Sequence, residues 1–218
     1  MKKKLIILTG PTAVGKTDLS IRLARTVGGE IISADSMQVY RRMDIGTAKI
    51  RPEEMDGVRH HLIDILEPTE SFNAFLFKEY ALKAANEIWE RGSIPIIVGG
   101  TGFYIQTLLY DIEFAKSDEN DGIRDELNKL YEEHGAAFLH DMLAKVDPEY
   151  AAEVHENNVK KVIRAIEFYR QTGHKLSEHN TEQRERTSPY NFEYFVLSDD
   201  RTVLYERIDK RNDGMVEA

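Results

Sequence analysis

The chain has 218 residues, 41% hydrophobic and 31% charged, with a formal net charge of −9. That is the composition of a folded globular chain, sized for one large domain or one domain with an insertion. It excludes wholesale disorder and nucleic-acid binding by bulk charge alone, though not a local basic groove. With no Cys, it also excludes disulfides, Cys-ligated zinc, iron–sulfur clusters and thiol nucleophiles.

The N-terminal apolar run, Leu5-Ile6-Ile7-Leu8, is too short for a signal peptide or a membrane span, so a cytoplasmic protein without membrane association is expected. The same run reads as a strand buried on both faces of a parallel sheet. A helix is predicted from Lys16 to Val27, with Leu19, Leu23 and Val27 on one face and Gly28-Gly29 as its stop. A second strand is predicted at Glu30–Asp35, a weaker one at His61–Asp64, a long helix at 73–91 and a third clear strand at Ile94–Val98. Phe72, Phe75 and Trp89 sit at the spacing of a helix's core face.

From about Glu113 the strand signals stop. Helices are predicted at Ile123–Glu133, Ala136–Lys145 and Val159–Gln171, with a short one begun by Asp147 as cap and Pro148. A strand returns at Tyr194–Leu197 and a helix at Arg201–Lys210. The expected fold is therefore α/β, a parallel sheet with flanking helices; the G-x-x-x-x-G-K-T loop at residues 10–17 makes it one of the phosphate-loop NTPase type. Residues 1–112 and 188–218 form its core, interrupted by an all-helical insertion at 113–187.

Gly10-Pro11-Thr12-Ala13-Val14-Gly15-Lys16-Thr17 matches G-x-x-x-x-G-K-[ST] in the required strand–loop–helix setting. Glycines let backbone N–H groups turn inward on phosphate oxygens, and the helix N-terminus adds partial positive charge. Lys16 supplies a cation, and the Thr17 hydroxyl is the expected ligand for Mg²⁺. The loop predicts a phosphorylated ligand without saying which one. Asp35, at the mouth of the second strand, serves either as a turn or helix cap or as a general base or metal ligand. Lys160, Lys161 and Arg164 can share one edge of a helix, which reads as a solvated surface or as a basic edge for RNA. Lys2 to Lys4 reads as a solvated strand end, and His60-His61 as structural.

The segment Asp35-Ser-Met-Gln-Val-Tyr40-Arg-Arg-Met-Asp44-Ile-Gly46-Thr-Ala-Lys49 resembles the signature of the tRNA dimethylallyltransferases, or tRNA isopentenyltransferases. The phosphate loop, His60-His61-Leu-Ile-Asp64, Ile97-Val-Gly-Gly-Thr101-Gly-Phe-Tyr104, Val162-Ile-Arg164-Ala-Ile-Glu167 and Arg201–Arg211 are similar to further segments of that family. The resemblance runs in order from about residue 4 to 211. Asn157-Asn158 and Arg211-Asn212-Asp213 depart from the pattern. Family members continue beyond the point where this chain stops, so a C-terminally truncated member is expected.

The resemblance implies a reaction between dimethylallyl diphosphate and the anticodon stem-loop of tRNA. The dimethylallyl group would move to the exocyclic amine of the adenosine just 3′ of the anticodon. Gly10 to Thr17 would then hold the diphosphate, with Mg²⁺ at Thr17. Asp35 would orient the amine and take its proton, while Lys16 and Arg201 stabilise the leaving diphosphate. Thr101 would help fix adenine or diphosphate. Asp35, Ser36, Met37, Gln38, Thr101, Arg124, Lys161 and Arg164 would contact tRNA. A monomer is expected. The rival readings are a small-molecule kinase, which would need an Arg-rich lid, and a fragment that binds tRNA or diphosphate with little turnover.

Overall fold

A computed structural model describes residues 2–114 and 122–217 of the chain. They form two compact units, one made of residues 1–112 and 188–218 and the other of residues 113–187. No helix among the described residues is long and apolar enough to cross a membrane.

The first unit is built on five parallel strands: β1 (Lys4–Thr9), β2 (Gly29–Ser33), β3 (His60–His61), β4 (Ile94–Gly99) and β5 (Asn191–Val196). Their order across the sheet is β3-β2-β4-β1-β5. The three central strands carry the aliphatic residues that burial on both faces requires. Leu5, Ile7, Leu8, Ile31, Ile32, Ile96 and Ile97 are almost wholly excluded from solvent. In register, Ile6 lies opposite Ile96, and Ile31 lies opposite Ile96 on its other side. β5 is an edge strand, and Tyr194, Phe195 and Val196 are exposed.

Helix α1 (Lys16–Val27) packs against Ile31 and Ile96. Its buried stripe is Ser20, Ile21 and Ala24 rather than the expected Leu19, Leu23 and Val27, which are half-buried. The small Ser20 and Ala24 let the helix axis approach the sheet, which turns the larger leucines to the flanks. Helix α2 (Ala74–Glu90) is capped by Asn73, whose side chain accepts from the Leu76 amide, and it buries Phe77, Ala81, Ala84, Ala85 and Ile88. Phe75, expected in the core, is 48% exposed, because the stripe through Phe77 and Ala81 leaves it on another face. Trp89 stacks on Tyr190 and donates to the Lys4 carbonyl. Lys2 and Lys3 are tied down too, donating to the Ser188 carbonyl and to Asn86.

Helix α3 (Gly102–Leu109) begins just after β4, on a stretch where no element is predicted from sequence. The weak strand expected at His61–Asp64 shrinks to β3, since Leu62 and Asp64 adopt positive φ of 64° and 55° that no strand tolerates.

In the second unit, α4 (Ile123–Val146) runs through both helices predicted there and is broken at Gly135, whose φ of 82° and ψ of 179° are not helical. It is followed by α5 (Pro148–Glu153), α6 (Val159–Thr172) and α7 (Leu176–Glu185). Helix α7 is not among the predicted elements, because it has no buried residue and therefore no apolar periodicity to read. Leu127, Leu139, Leu143, Val162, Ile163 and Ile166 make the core of this unit. The chain then returns to the first unit through β5 and ends in α8 (Arg201–Val216).

One carboxylate in each unit braces it. Asp147 is fully buried. It caps α5 through the Tyr150 amide and holds the start of α7 through the Ser177 amide and hydroxyl, at 3.1, 2.9 and 2.7 Å. Burial works to raise its pKa, but donors from Ser177, Tyr150 and Leu176 outweigh it and hold the carboxyl below its ordinary value. Asp147→Ala should therefore cost about 3 kcal/mol of unfolding free energy, read from urea denaturation, because a cap is lost and buried donors are left unpaired.

Glu30 on β2 takes both Arg91 Nε and Nη2, at 2.9 and 2.8 Å, and meets His61 Nε2 at 2.7 Å. The Arg91 hydrogen bonds hold its carboxyl below the ordinary range against the opposing effect of burial, and His61 adds to them. A depressed folded pKa contributes stability above the unfolded value of about 4.3, and that stability is lost as the pH falls through the folded value. Thermal melts of the chain and of Glu30→Gln should thus differ at neutral pH and converge on acidification from about pH 5 to pH 3.

Candidate active site

A parallel sheet places the strand ends that carry loops of different origin along one edge, and ligand sites of open α/β folds form there. Here β1 delivers the phosphate loop, β2 delivers Asp35, and β4 delivers Gly99 to Thr101. Backbone hydrogen bonds join these ends: Ala34 N to the Val98 carbonyl at 2.8 Å, Thr101 N to the Ala34 carbonyl at 3.4 Å, and Leu197 N to the Thr9 carbonyl at 2.8 Å. Two glycines make the approach possible. A Cβ on Gly99 would lie 2.2 Å from the Ala34 oxygen. One on Gly10, whose φ is 152°, would lie 2.6 Å from the Leu197 oxygen.

The phosphate loop, residues 10–15, turns straight into α1, so the first-turn amides of that helix lack intrahelical acceptors and face the loop end. Lys16 Nζ donates to the Gly10 and Pro11 carbonyls at 2.8 and 2.7 Å, curling over the loop it serves. Burial pushes its pKa down, the charge of Arg211 pushes the same way, and the Asp35 carboxylate opposes both. Lys16, Thr17 and Asp35 line one cavity of about 70 Å³, together with Gln38 and Gly99. The rest of its wall includes Ile31, Ile50, Ile63 and Val98. A cation, a hydroxyl and a carboxylate therefore share one small space with an aliphatic surface.

Asp35 fills one of its two sequence-level roles visibly. Its Oδ1 accepts from the Met37 and Gln38 amides at 2.8 and 3.3 Å, which turns the chain away from the sheet and sets out Ser36, Met37 and Gln38. Among the described residues no hydrogen bond reaches Oδ2, so the capping role leaves one oxygen for chemistry. Met37 is exposed, and Gln38 faces the cavity. Thr101 is half-buried at the start of α3, where its carbonyl accepts from Tyr104 N at 3.0 Å.

Three participants are residues that sequence reasoning passed over. Lys49 has a side chain only 4% exposed, with Nζ bound to the Tyr40 carbonyl, Asp44 and Asp64 at 2.7, 2.7 and 2.5 Å. Burial lowers the pKa of this ammonium, but the two carboxylates more than offset it and raise the pKa overall. It pins the segment that follows Asp35; nothing in a polar sequence marks a Lys as buried. His60 lines the cavity, with Nδ1 2.9 Å from the Val58 carbonyl. Burial pushes its imidazole below the ordinary pKa; the Val58 contact opposes this shift and His61 reinforces it. Arg211 donates to the Thr47 carbonyl at 3.3 Å and is the α8 cation that Lys16 feels. Arg201 begins α8, donates from Nε to the Tyr205 hydroxyl at 2.8 Å, and is not among the residues lining the cavity.

In the second unit, Lys160 and Lys161 are exposed on the first turn of α6 and carry no ion pair among the described residues. Arg164 and Arg124 both reach Glu167 Oε2, at 3.2 and 2.6 Å.

The donor set at the cavity fits a hard divalent ion. Thr17 and Asp35 offer oxygens only, the preference of Mg²⁺. No group of three or more His, Asp or Glu able to hold a metal occurs among the described residues. Most of the ion's ligands would therefore be oxygens of substrate and water, which is the usual habit of Mg²⁺.

Comparison with known proteins agrees with this geometry. The profile of the IPP transferase family matches residues 38–218. A tRNA dimethylallyltransferase of Lachnoclostridium phytofermentans is 58% identical over 214 residues, covering 98% of this chain and 68% of the relative. One from Halalkalibacterium halodurans is 48% identical over all of this chain and 69% of the relative. Among solved structures, a eukaryotic dimethylallyltransferase acting on tRNA superposes with a TM-score of 0.89 at 36% identity, covering 99% of this chain and 53% of that one. The full-length tRNA isopentenylpyrophosphate transferase of Bacillus halodurans gives 0.67 at 47% identity, covering 99% and 67%. With identity of this order along its whole length, the chain belongs to the IPP transferase family, that of the tRNA dimethylallyltransferases.

Proposed function

We propose that this chain transfers the dimethylallyl group of dimethylallyl diphosphate to the exocyclic amine of the adenosine 3′-adjacent to the anticodon of tRNA. The observation that carries this reading is the composition of the cavity at the strand ends. Lys16 and Thr17 suit an anionic head, the wall of Ile31, Ile50, Ile63 and Val98 suits a short hydrocarbon, and Asp35 lies beside both. Such a wall would also accept a nucleobase, so it is the similarity to tRNA dimethylallyltransferases along the whole chain that favours the prenyl diphosphate over the ATP of a small-molecule kinase.

The chemistry follows from charge. The bond between the allylic carbon and the diphosphate oxygen breaks as a carbon–nitrogen bond forms to the amine. Positive charge on the allylic carbon is spread by its double bond, and negative charge collects on the departing oxygens. Lys16 and the first-turn amides of α1 meet that charge at fixed positions, an arrangement that lowers the barrier without reorganisation. Mg²⁺, held by the Thr17 hydroxyl and substrate oxygens, would supply further charge neutralisation there. An adenine exocyclic amine is a weak nucleophile and must lose a proton as it attacks. Asp35, anchored through Oδ1 by two amides, presents Oδ2 to accept it. The base must leave its stack to reach this position; Gln38 lines the cavity, and Ser36, Met37 and Thr101, which neighbour Asp35 and Gly99 in the chain, are the further expected contacts. In the helical unit, Lys161, Arg164 and Arg124 supply the phosphate-facing cations that an overall acidic protein needs locally. Arg211 joins Arg201 as a candidate cation for the leaving group, since Lys16 feels its charge directly.

Incubation with Mg²⁺, labelled dimethylallyl diphosphate and unmodified tRNA should place label in the tRNA. A parallel reaction with ATP should show no consumption; ATP loss without labelled tRNA would hand the site to a kinase. Asp35→Ala should lower kcat by about 10²- to 10⁴-fold and leave diphosphate affinity nearly unchanged. Unchanged turnover would remove Asp35 as the base. Lys16→Ala should both weaken donor binding and slow transfer, by about 10²-fold or more in kcat/KM. An unaltered donor affinity would show that the loop holds something else.

A further inference from the structure

Glu167 is the best-buried acid of the helical unit after Asp147, and its partners differ in kind. Asp147 binds backbone amides and a hydroxyl that hold helices together. Glu167 binds two arginines through a single oxygen, Oε2: Arg124 from the first turn of α4 and Arg164 one turn earlier on α6. Its side chain is 6% exposed, whereas those of Arg124 and Arg164 are 58% and 37% exposed. The carboxylate is therefore beneath, and the guanidinium groups face outward.

This arrangement is a poor way to gain stability. Removing a carboxylate from water costs more than packing an apolar side chain of similar volume, and an ion triad seldom repays the difference. It is a good way to hold two cations side by side. Each guanidinium keeps further N–H donors beyond those given to Oε2. Two arginines left alone at this separation would repel and swing apart. Lys160 and Lys161 flank the pair on the same stretch of α6.

We propose that Glu167 is a positioning residue that fixes Arg124 and Arg164 as a two-pronged clamp for one phosphate of the RNA backbone. This rests on the reading of the helical unit as the tRNA-binding part. Glu167 itself never meets RNA; it acts through the arginines.

The sign of one substitution separates this from simple electrostatics. Glu167→Gln removes a negative charge from a surface meant to bind a polyanion, so a charge-counting view expects tighter tRNA binding. The clamp expects the reverse: KM for tRNA about tenfold higher, with kcat and the KM for the prenyl diphosphate within twofold of the unaltered chain. An unchanged or lowered KM for tRNA overturns the proposal. In an Arg124→Ala/Arg164→Ala background, Glu167→Gln should add no further rise. A further rise there would mean that Glu167 acts on the unit's structure rather than through the arginines, and would also overturn it. Circular-dichroism melts of each variant identify any that fail to fold, and Glu167→Met, which matches the volume without charge, then replaces Gln. Direct tRNA binding by fluorescence anisotropy runs beside the assay. A chain that binds tRNA but transfers no label contradicts the prenyl-transfer reading while the clamp is judged on Kd. A chain that binds no tRNA contradicts both.

Discussion

Backbone contact between the carboxyl ends of β1, β2, β4 and β5 is the constraint on which the active site depends. The bonds from Ala34 to Val98, Thr101 to Ala34 and Leu197 to Thr9 bring together loops that are 64, 67 and 188 residues apart in sequence. They close only because Gly99 and Gly10 carry no side chain. A methyl group at Gly99 would push the Ala34 carbonyl aside and with it the next residue, Asp35. Asp35 and the phosphate loop are thus placed by steric fit between backbones, not by contact between their own side chains.

Within that frame the charged groups are held by the chain around them. Asp35 spends one oxygen on holding the following turn and leaves the other without a hydrogen bond among the described residues, so the two sequence-level roles of this residue are compatible rather than exclusive. Lys16 rests on the carbonyls of its own loop, so it is already close to where phosphate oxygens would lie. Lys49, buried between Asp44 and Asp64, carries its charge purely to anchor the segment after Asp35. Buried ion pairs add little net stability, but losing one partner is costly, so such a pin tolerates few alternatives. The helical unit uses the same device, with Glu167 buried under Arg124 and Arg164. An acidic protein can in this way present a locally basic surface whose cations are ordered before a polyanion arrives.

The alternation of apolar runs and helical stripes made the α/β core legible, along with the change of character near residue 113. The errors have physical causes. β3 is two residues long because left-handed backbone at Leu62 and Asp64 ends it, a feature that residue types do not announce. α7 buries nothing and so has no periodicity to detect. The buried stripe of α1 runs through Ser20 and Ala24 because close helix–sheet contact favours small residues over the leucines that a hydrophobicity count prefers. Phe75 is exposed for the complementary reason: aromatic residues at helical spacing mark a core face only when the helix turns that face inward.

The sequence alone determined the chemistry available: the phosphate loop with Lys16 and Thr17, Asp35 at a strand end, a basic helix edge, and a succession of motifs similar to one family. Those are local properties, set by residue type and by spacing along the backbone. Only the tertiary structure decided which groups share a space. It put Thr17, Asp35 and an aliphatic wall around one cavity, brought in His60 and Arg211, turned Arg201 toward Tyr205, and placed Glu167 beneath two arginines. Burial and proximity of distant residues arise from strand order and helix packing, and these are properties of the whole chain rather than of any segment.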